Sequence, residues 1–313
     1  MPLDPPIRAL VDALAAAGAA EREAADLDER RRMSAATMVL ASTGRGPGVV
    51  ATDHRIAVDG GEIAVRVLRP ADLPSPAPAF YFVHGGGWTL GNLDTGEVEC
   101  GPMAALVPCI VVSVDYRLAP EHPFPTPLED CVAGYAWLHA NAAELGIDPA
   151  RVAVGGASAG GNLAAALCLA ARDRGLPAPC LQLLDVPALD LTPMPVPDEE
   201  PSEGLTASEV NQYAAWYLGE HGDPKDPLAS PLHAPGLSGL PPAVLTVAEL
   251  DVLCGQGERY LARLHEAGVP GSAFRVAAHG HGTWIIPITA TFTLVREVRA
   301  AALRHAFAAT LVP

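Results

Sequence analysis

A serine between small residues gives the chain a candidate nucleophile, because residues 156–160 read Gly-Ala-Ser-Ala-Gly. The run 151–154 before it is rich in valine and predicts a buried strand, while the Ala- and Leu-rich run 161–172 predicts a helix. Small neighbours let the chain turn sharply from strand to helix, which exposes the Ser158 hydroxyl to a reacting carbonyl. We interpret Ser158 as the nucleophile of an acyl-transfer site, with a purely structural turn as the alternative.

A second glycine-rich segment supplies candidate oxyanion donors. Residues 84–88 read His-Gly-Gly-Gly-Trp and follow an apolar run that predicts another strand. Consecutive glycines leave backbone N–H groups uncovered and adopt conformations that other residues avoid. Helix N-termini also present free N–H groups. We therefore predict an oxyanion hole formed by the N–H groups of Gly85, Gly86 and Ala159, with a flexible glycine loop as the alternative.

Two carboxylates and two histidines follow later strands. Glu249 and Asp251 lie at the carboxyl end of an apolar strand pattern at 242–247, and His279 and His281 follow the next strand pattern. Open α/β sheets place their chemistry at this end of the strands. The order serine, acid, histidine is typical of α/β-hydrolases. The members of each pair lie two residues apart, so either member could face the serine on an extended backbone.

The chain resembles the hormone-sensitive-lipase-like family (family IV) of bacterial carboxylesterases. The most specific shared segment is residues 114–125, which read Val-Asp-Tyr-Arg-Leu-Ala-Pro-Glu-His-Pro-Phe-Pro. The motifs at 84–88, 159–164 and 248–251 agree with it, and the resemblance extends from the N-terminus to Gly282. It implies an α/β-hydrolase fold, in which a mostly parallel central sheet has helices on both faces and a helical cap.

The resemblance also implies a role for each triad member: Ser158 as nucleophile, Asp251 as acid and His281 as base. Asp251 precedes His281 by 30 residues, the separation that the family pattern leads us to expect. The chain departs from the family at Ala157, where an Asp or Thr is usual, and at Thr283, where an aromatic residue is usual. Glu249 is interpreted as a brace for the loop that carries the acid.

We predict a single α/β-hydrolase domain over residues 1–313, with a cap formed by about 1–45 and about 187–225. The capping box Thr206–Glu209 opens a helix within the second of these segments. In the family, the N-terminal segment and this insertion cover the serine. Both segments are therefore expected to face the substrate, and the alternative is that they cover apolar edges of the sheet.

Three tryptophans fall in loop or cap positions around the predicted site. Trp88, Trp216 and Trp284 are assigned to substrate binding as walls of an acyl or alcohol pocket. The alternative for each is ordinary aromatic packing.

Composition is that of a globular enzyme. Half of the 313 residues are hydrophobic, and 36 acidic against 20 basic residues give a net charge of −16. No basic stripe is present, so nucleic acid is not an expected partner. No leader and no apolar run of about 18 residues occurs, so we expect a cytoplasmic protein without membrane insertion. The sequence leaves a homodimer open. His279 and His281 lack a third ligand, so neither a metal nor an organic cofactor is expected.

The combined motifs predict a serine carboxylesterase that hydrolyses short- to medium-chain acyl esters through an acyl-enzyme intermediate. A lactone, amide or dedicated small-metabolite hydrolase would use the same triad and is the main alternative. A ligand-binding protein on the same fold, as in plant gibberellin receptors, is a third reading. Those receptors lack the catalytic histidine, and the presence of His281 argues against it.

Overall fold

An eight-stranded sheet forms the centre of the molecule, in a computed structural model that describes residues 8, 26–40, 43–198, 204–283 and 290–309. The strand order is β1-β2-β4-β3-β5-β6-β7-β8. Strand β2 pairs antiparallel with β1 and β4, and the other neighbours pair in parallel. The strands are β1 (Val49–Val58), β2 (Gly61–Pro70), β3 (Ala77–Val83), β4 (Ile110–Asp115), β5 (Ile147–Ala157), β6 (Gln182–Asp185), β7 (Ala243–Ala248) and β8 (Gly271–Val276).

Helices cover both faces of this sheet, as the sequence predicts. The helices are α1 (Leu27–Leu40), α2 (Leu93–Leu106), α3 (Thr126–Ala140), α4 (Ala142–Leu145), α5 (Ala159–Arg174), α6 (Ala207–Leu218), α7 (Cys254–Glu266) and α8 (Ala290–Ala309), with a short 3₁₀ helix at Pro231–His233. Side chains alternate between the faces of a strand. Tyr81 of β3 therefore packs in one core cluster with α3, α5 and α7, and Phe82 packs in another with α2 and α8.

The buried position of the central strands explains their composition. Strands β3 and β4 are apolar along nearly their whole length, because parallel strands with helices on both faces have no solvent side. Helix α5 is buried from Ala159 through Ala171, which accounts for its continuous run of small and apolar residues. The predicted strand and helix on either side of Ser158 are confirmed.

The described part of the predicted cap agrees with the local signals in the sequence. The Thr206 hydroxyl accepts the N–H of Glu209, and the Glu209 carboxylate accepts the N–H of Thr206, so the capping box is confirmed. Helix α6 then ends at Leu218. In the N-terminal part of the predicted cap, the residues before 26 fall outside the described residues, apart from residue 8. Each helix in the described ranges is too short or too polar to cross a bilayer.

A buried asparagine ties the elements around the serine together. The Asn162 side chain on α5 donates hydrogen bonds to the carbonyl oxygens of Ala188 and Ala229, at 2.7 and 2.8 Å. Its Oδ1 accepts the indole N–H of Trp88 at 3.2 Å. Asn162 thus fixes the glycine loop after β3 and the two segments that lead into and out of the 187–225 insertion.

We expect Asn162→Ala to destabilise the fold by about 3 kcal/mol, since three buried groups lose their partner. Urea denaturation of both proteins measures the difference. Asn141→Ala is the matched control, because the Asn141 amide donates one hydrogen bond at a partly exposed helix end and should cost less than about 1 kcal/mol. Equal losses of stability in the two variants would show that the buried hydrogen bonds of Asn162 contribute no more than the partly exposed one of Asn141.

Candidate active site

Ser158 occupies a strained turn between β5 and α5. Its φ is +57°, a left-handed conformation that residues other than glycine rarely adopt. The turn presses against β3, and a Cβ at Gly156 or Gly160 would collide with the carbonyl oxygen of Val83. The glycines of the motif are therefore required by close backbone contact, while Ala157 between them has room for its methyl group.

Ser158, His281 and Asp251 form one continuous hydrogen-bonded chain. The Ser158 hydroxyl lies 2.9 Å from Nε2 of His281, and Nδ1 of His281 lies 2.8 Å from Oδ2 of Asp251. Because the carboxylate accepts the Nδ1–H, Nε2 is left as the acceptor of the serine hydroxyl. Oδ1 of Asp251 accepts the N–H of Leu253, so both carboxylate oxygens are held. This is the arrangement that activates a serine as a nucleophile.

The loop after β7 and the loop after β8 are joined to each other, which fixes the distance between the acid and the histidine. The N–H of Leu250 donates to the carbonyl oxygen of His279. The Glu249 carboxylate accepts the N–H of Ala278, a residue with a φ of +58°. Glu249 thus braces the histidine loop, whereas the sequence suggested that it braces the loop of Asp251.

The structure separates the two candidate histidines. His279 is 3 % exposed, and its Nδ1 donates to the carbonyl oxygen of Ala277. His279 is not among the described residues that line the cavity above Ser158, whereas His281 is. Turns occupy residues 277–278 and 281–282, so the two histidines do not lie on one continuous strand.

Electrostatics favour the protonated form of His281. Burial alone would lower the pKa of this imidazole. The charge and hydrogen bond of Asp251 oppose that effect, with help from Glu99 and Glu209, and together they raise the pKa of His281 above 6.5. The pair is thus prepared to hold a positive charge on the ring.

The glycine loop lies against the turn that carries Ser158. Gly85 lies against the elbow, since a Cβ there would come within 2.9 Å of the Ala157 carbonyl oxygen. Gly86 has a φ of +116°. Within the described part of the chain, the N–H groups of Gly85 and Gly86 have no acceptor. Ala159 is the first residue of α5, so its N–H also lacks an intrahelical acceptor.

His84 holds this loop in place, a role that the sequence reasoning did not assign. Its ring stacks on Tyr116 at a centroid distance of 4.2 Å, and its Nδ1 donates to the carbonyl oxygen of Gly85. Burial lowers the pKa of His84 to about 4, so the ring is neutral at physiological pH. The only sequence signal was its position directly before the glycines.

The cavity above Ser158 has a volume of about 310 Å³ and mostly apolar walls. Ser34 and Met38 of α1 line it, and so do Val210 and Tyr213 of α6. Segments from both predicted cap regions therefore contribute to the cavity.

The tryptophans that the sequence assigns to the pocket walls differ in whether they line the cavity. Trp88 borders the cavity but is 2 % exposed and stacks on Tyr217, so most of its surface is used in packing. Trp216 is outside the described lining and packs edge-on against Tyr213, which lines the cavity in its place. Trp284 falls outside the described residues.

Comparison with known proteins agrees with this geometry. A family model described as alpha/beta hydrolase fold matches residues 80–285. Carboxylic ester hydrolase LipN of Mycobacterium tuberculosis is 42 % identical over 239 residues, which cover 74 % of this chain and 63 % of that relative. The arylesterase of Saccharolobus solfataricus is 36 % identical, with 90 % of this chain and 92 % of the relative covered.

A solved structure shows the same architecture. The hyperthermophilic esterase from the archaeon Pyrobaculum calidifontis gives a TM-score of 0.89 at 35 % identity, with 99 % of this chain and 100 % of that chain covered. Fold and site thus define an α/β-hydrolase. Within that fold, the chain belongs to the hormone-sensitive-lipase-like family, as the sequence motifs implied.

We expect Asp251→Asn to lower the pKa of His281, because the variant removes the negative charge that opposes the effect of burial. A pH titration of the histidine ring signals by NMR measures the change. Glu249→Gln is the control, since Glu249 bonds the backbone of the same loop but does not contact the ring. An unchanged His281 pKa in Asp251→Asn would contradict the electrostatic coupling.

Proposed function

We propose that this carboxylic ester hydrolase cleaves short- to medium-chain acyl esters through an acyl-enzyme intermediate on Ser158. The observation that carries the proposal is the unbroken hydrogen-bonded chain from the Ser158 hydroxyl through His281 to Asp251, which opens on an apolar cavity. His281 lies between the other two members and contacts both, so it can take the proton of Ser158 while Asp251 holds its ring.

In the first half-reaction, Ser158 attacks the ester carbonyl while Nε2 of His281 takes the hydroxyl proton. Asp251 stabilises the imidazolium that results. The imidazolium then gives its proton to the oxygen of the leaving alcohol, and the acyl group remains on Ser158. Water attacks the acyl-enzyme by the same route and releases the acid.

The negative charge on the carbonyl oxygen would be stabilised by the backbone N–H groups of Gly85, Gly86 and Ala159. Preorganised donors of this kind typically contribute about 3 kcal/mol each to transition-state stabilisation. His84 supports them, because its hydrogen bond to the Gly85 carbonyl oxygen holds that peptide group in place.

The pH dependence follows from the base. His281 must be neutral to accept the proton, and its pKa is raised above 6.5. The value of kcat/KM should therefore fall as the pH decreases through the raised pKa of His281, and it should reach its plateau at pH values above that pKa.

The size of the cavity supports the proposed preference for short- to medium-chain acyl esters. A volume of about 310 Å³ lies at the small end of the range for ligand pockets. Helices α1 and α6 close the cavity from above, and we assign the segments 1–45 and 187–225 to a cap on a single 1–313 domain. Across p-nitrophenyl esters, kcat/KM should peak at short or medium acyl chains and fall for hexadecanoate.

The decisive experiment removes the nucleophile. Ser158→Ala should lower kcat for p-nitrophenyl butyrate by roughly a million-fold, to the rate that binding and the oxyanion donors still provide. An organophosphonate should label the peptide that contains Ser158 in the parent protein, and the label should be absent in the variant. Labelling of another serine would overturn the assignment, and a parent protein inert toward all esters would favour a ligand-binding role.

The two histidines provide a matched pair of variants. His281→Ala should reduce turnover about as far as Ser158→Ala, because members of a triad act as a unit. His279→Ala should keep most of the rate, since its ring bonds only its own loop. The opposite pattern would move the base to His279.

Gly86→Ala should cost about a hundred-fold or more in kcat, since its φ is +116° and a Cβ would collide with the Leu90 carbonyl oxygen. Gly175→Ala is the control. Gly175 also has a positive φ, +67°, but open space around it and a position at the far end of α5. Full activity in Gly86→Ala would show that the loop does not need this conformation.

A further inference from the structure

Two carboxyl groups in the wall of the catalytic cavity have no assigned role in substrate binding, although Glu99 also helps to raise the pKa of His281. Glu99 of α2 and Asp185 at the end of β6 line the cavity together with Ser158 and His281. No lysine or arginine is found among the described residues that line it. An otherwise apolar pocket thus contains an acidic region next to the reacting groups.

Asp185 is paired only on the side away from the cavity lining. Its Oδ2 lies 2.9 Å from Nε of Arg299 on α8, a residue outside the lining. Asp185 is 2 % exposed, and neither of its carboxylate oxygens accepts a hydrogen bond from the described residues, although Oδ2 is ion-paired with Arg299. One carboxylate oxygen is therefore buried and free to accept a hydrogen bond or to face a positive charge.

Glu99 has no partner of its own. Among the described residues, no hydrogen bond or ion pair to its carboxyl group is formed, although Arg299 and Arg296 border a small recess on its other side. Burial raises the pKa of Glu99 to about 7, an effect that Arg299 opposes and Asp185 reinforces. Two carboxyl groups thus share one nearby guanidinium, which already lies against Asp185.

Packing alone does not account for Glu99. Glu99 is half-buried, and a largely desolvated carboxyl group without a partner costs free energy that an apolar side chain at the same place would avoid. The Asp185–Arg299 pair is sufficient to join α8 to the sheet, so Glu99 is not needed for that contact. A carboxyl group with a raised pKa in a catalytic cleft is instead typical of a group that meets a ligand.

We propose that Glu99 and Asp185 form an acidic subsite that binds a cationic group of the substrate, such as a quaternary or protonated ammonium. This inference rests on the proposed function, because it places the cation on the same ester that Ser158 attacks. With Glu99 ionised, the described cavity lining has two carboxylates and no guanidinium, and Arg299 outside the lining is paired with Asp185. The cation would replace the partner that Glu99 lacks.

The subsite has a defined pH dependence. The charged and titratable groups around Glu99 are Asp185 from β6, Arg296 and Arg299 from α8, and His281 from the loop after β8. Ionisation of Glu99 near pH 7 should raise the preference for a cationic over a neutral substrate. Protonation of His281 slows both substrates equally, so it cancels from the ratio of their kcat/KM values.

The test uses two pairs of esters that match in shape and differ only in charge. The first pair is choline butyrate and the ester in which a tert-butyl group replaces the trimethylammonio group. The second pair consists of two p-nitrophenyl esters. The acyl chain ends in a trimethylammonio group in one member and in a tert-butyl group in the other. The two pairs probe the alcohol side and the acyl side of the scissile bond.

We expect the parent enzyme to prefer the cationic member of at least one pair by about tenfold at pH 8. The preference should shrink as the pH falls through about 7. Glu99→Gln should remove most of this preference at every pH, and the accompanying change in the pKa of His281 acts on both members of a pair and cancels from their ratio. Glu97→Gln on the same helix is the control, because Glu97 pairs with Arg45 and Arg66 outside the cavity and its loss should leave the preference intact.

Equal rates within both pairs, or a preference that survives in Glu99→Gln, would overturn the subsite. Failure of the parent enzyme on the neutral esters would count against the proposed function instead. Calorimetric binding of choline to the parent and to Glu99→Gln then tests the subsite without catalysis. Thermal unfolding of each variant verifies that it is folded, and choline binding of equal strength to both folded proteins would refute the proposal.

Discussion

The site depends on one close contact, the backbone of the elbow at Ser158 pressed against the carboxyl end of β3. Gly156 and Gly160 allow this approach because a side chain on either would collide with the Val83 carbonyl oxygen. The contact places the nucleophile beside the glycine loop that continues from β3, so the serine and the candidate oxyanion donors share one support. The left-handed φ of Ser158 is maintained by this surrounding packing.

The second support is the pair of loops that carry the acid and the base. Parallel pairing of β7 and β8 brings their carboxyl ends together, and backbone bonds from Glu249 and Leu250 to the histidine loop complete the alignment. Asp251 can then hold the ring of His281 in one orientation. Burial lowers the pKa of the His281 imidazole and the nearby carboxylates raise it, and the carboxylates have the larger combined effect.

The cavity combines an apolar lining with a polar wall close to the serine. Its apolar side comes from α1, α6 and the glycine loop, which supports the binding of acyl chains of limited length. Its acidic side comes from Glu99 and Asp185, whose charge Arg299 only partly balances. Shape and charge thus act on different parts of a substrate, and we propose that they select for different features of it.

The sequence by itself determined the fold, the elbow and the glycine loop after β3, because glycines at fixed positions and uninterrupted apolar strands reflect local requirements. It also determined the capping box of α6, which depends on residues three apart. The family resemblance pointed to His281, but the different surroundings of His279 and His281, the place of Tyr213 rather than Trp216 in the lining, and the position of Glu99 in the cavity wall were decided only by the tertiary structure. Each depends on where separate segments meet in space, and a side chain's direction there is set by packing rather than by its own neighbours in the chain.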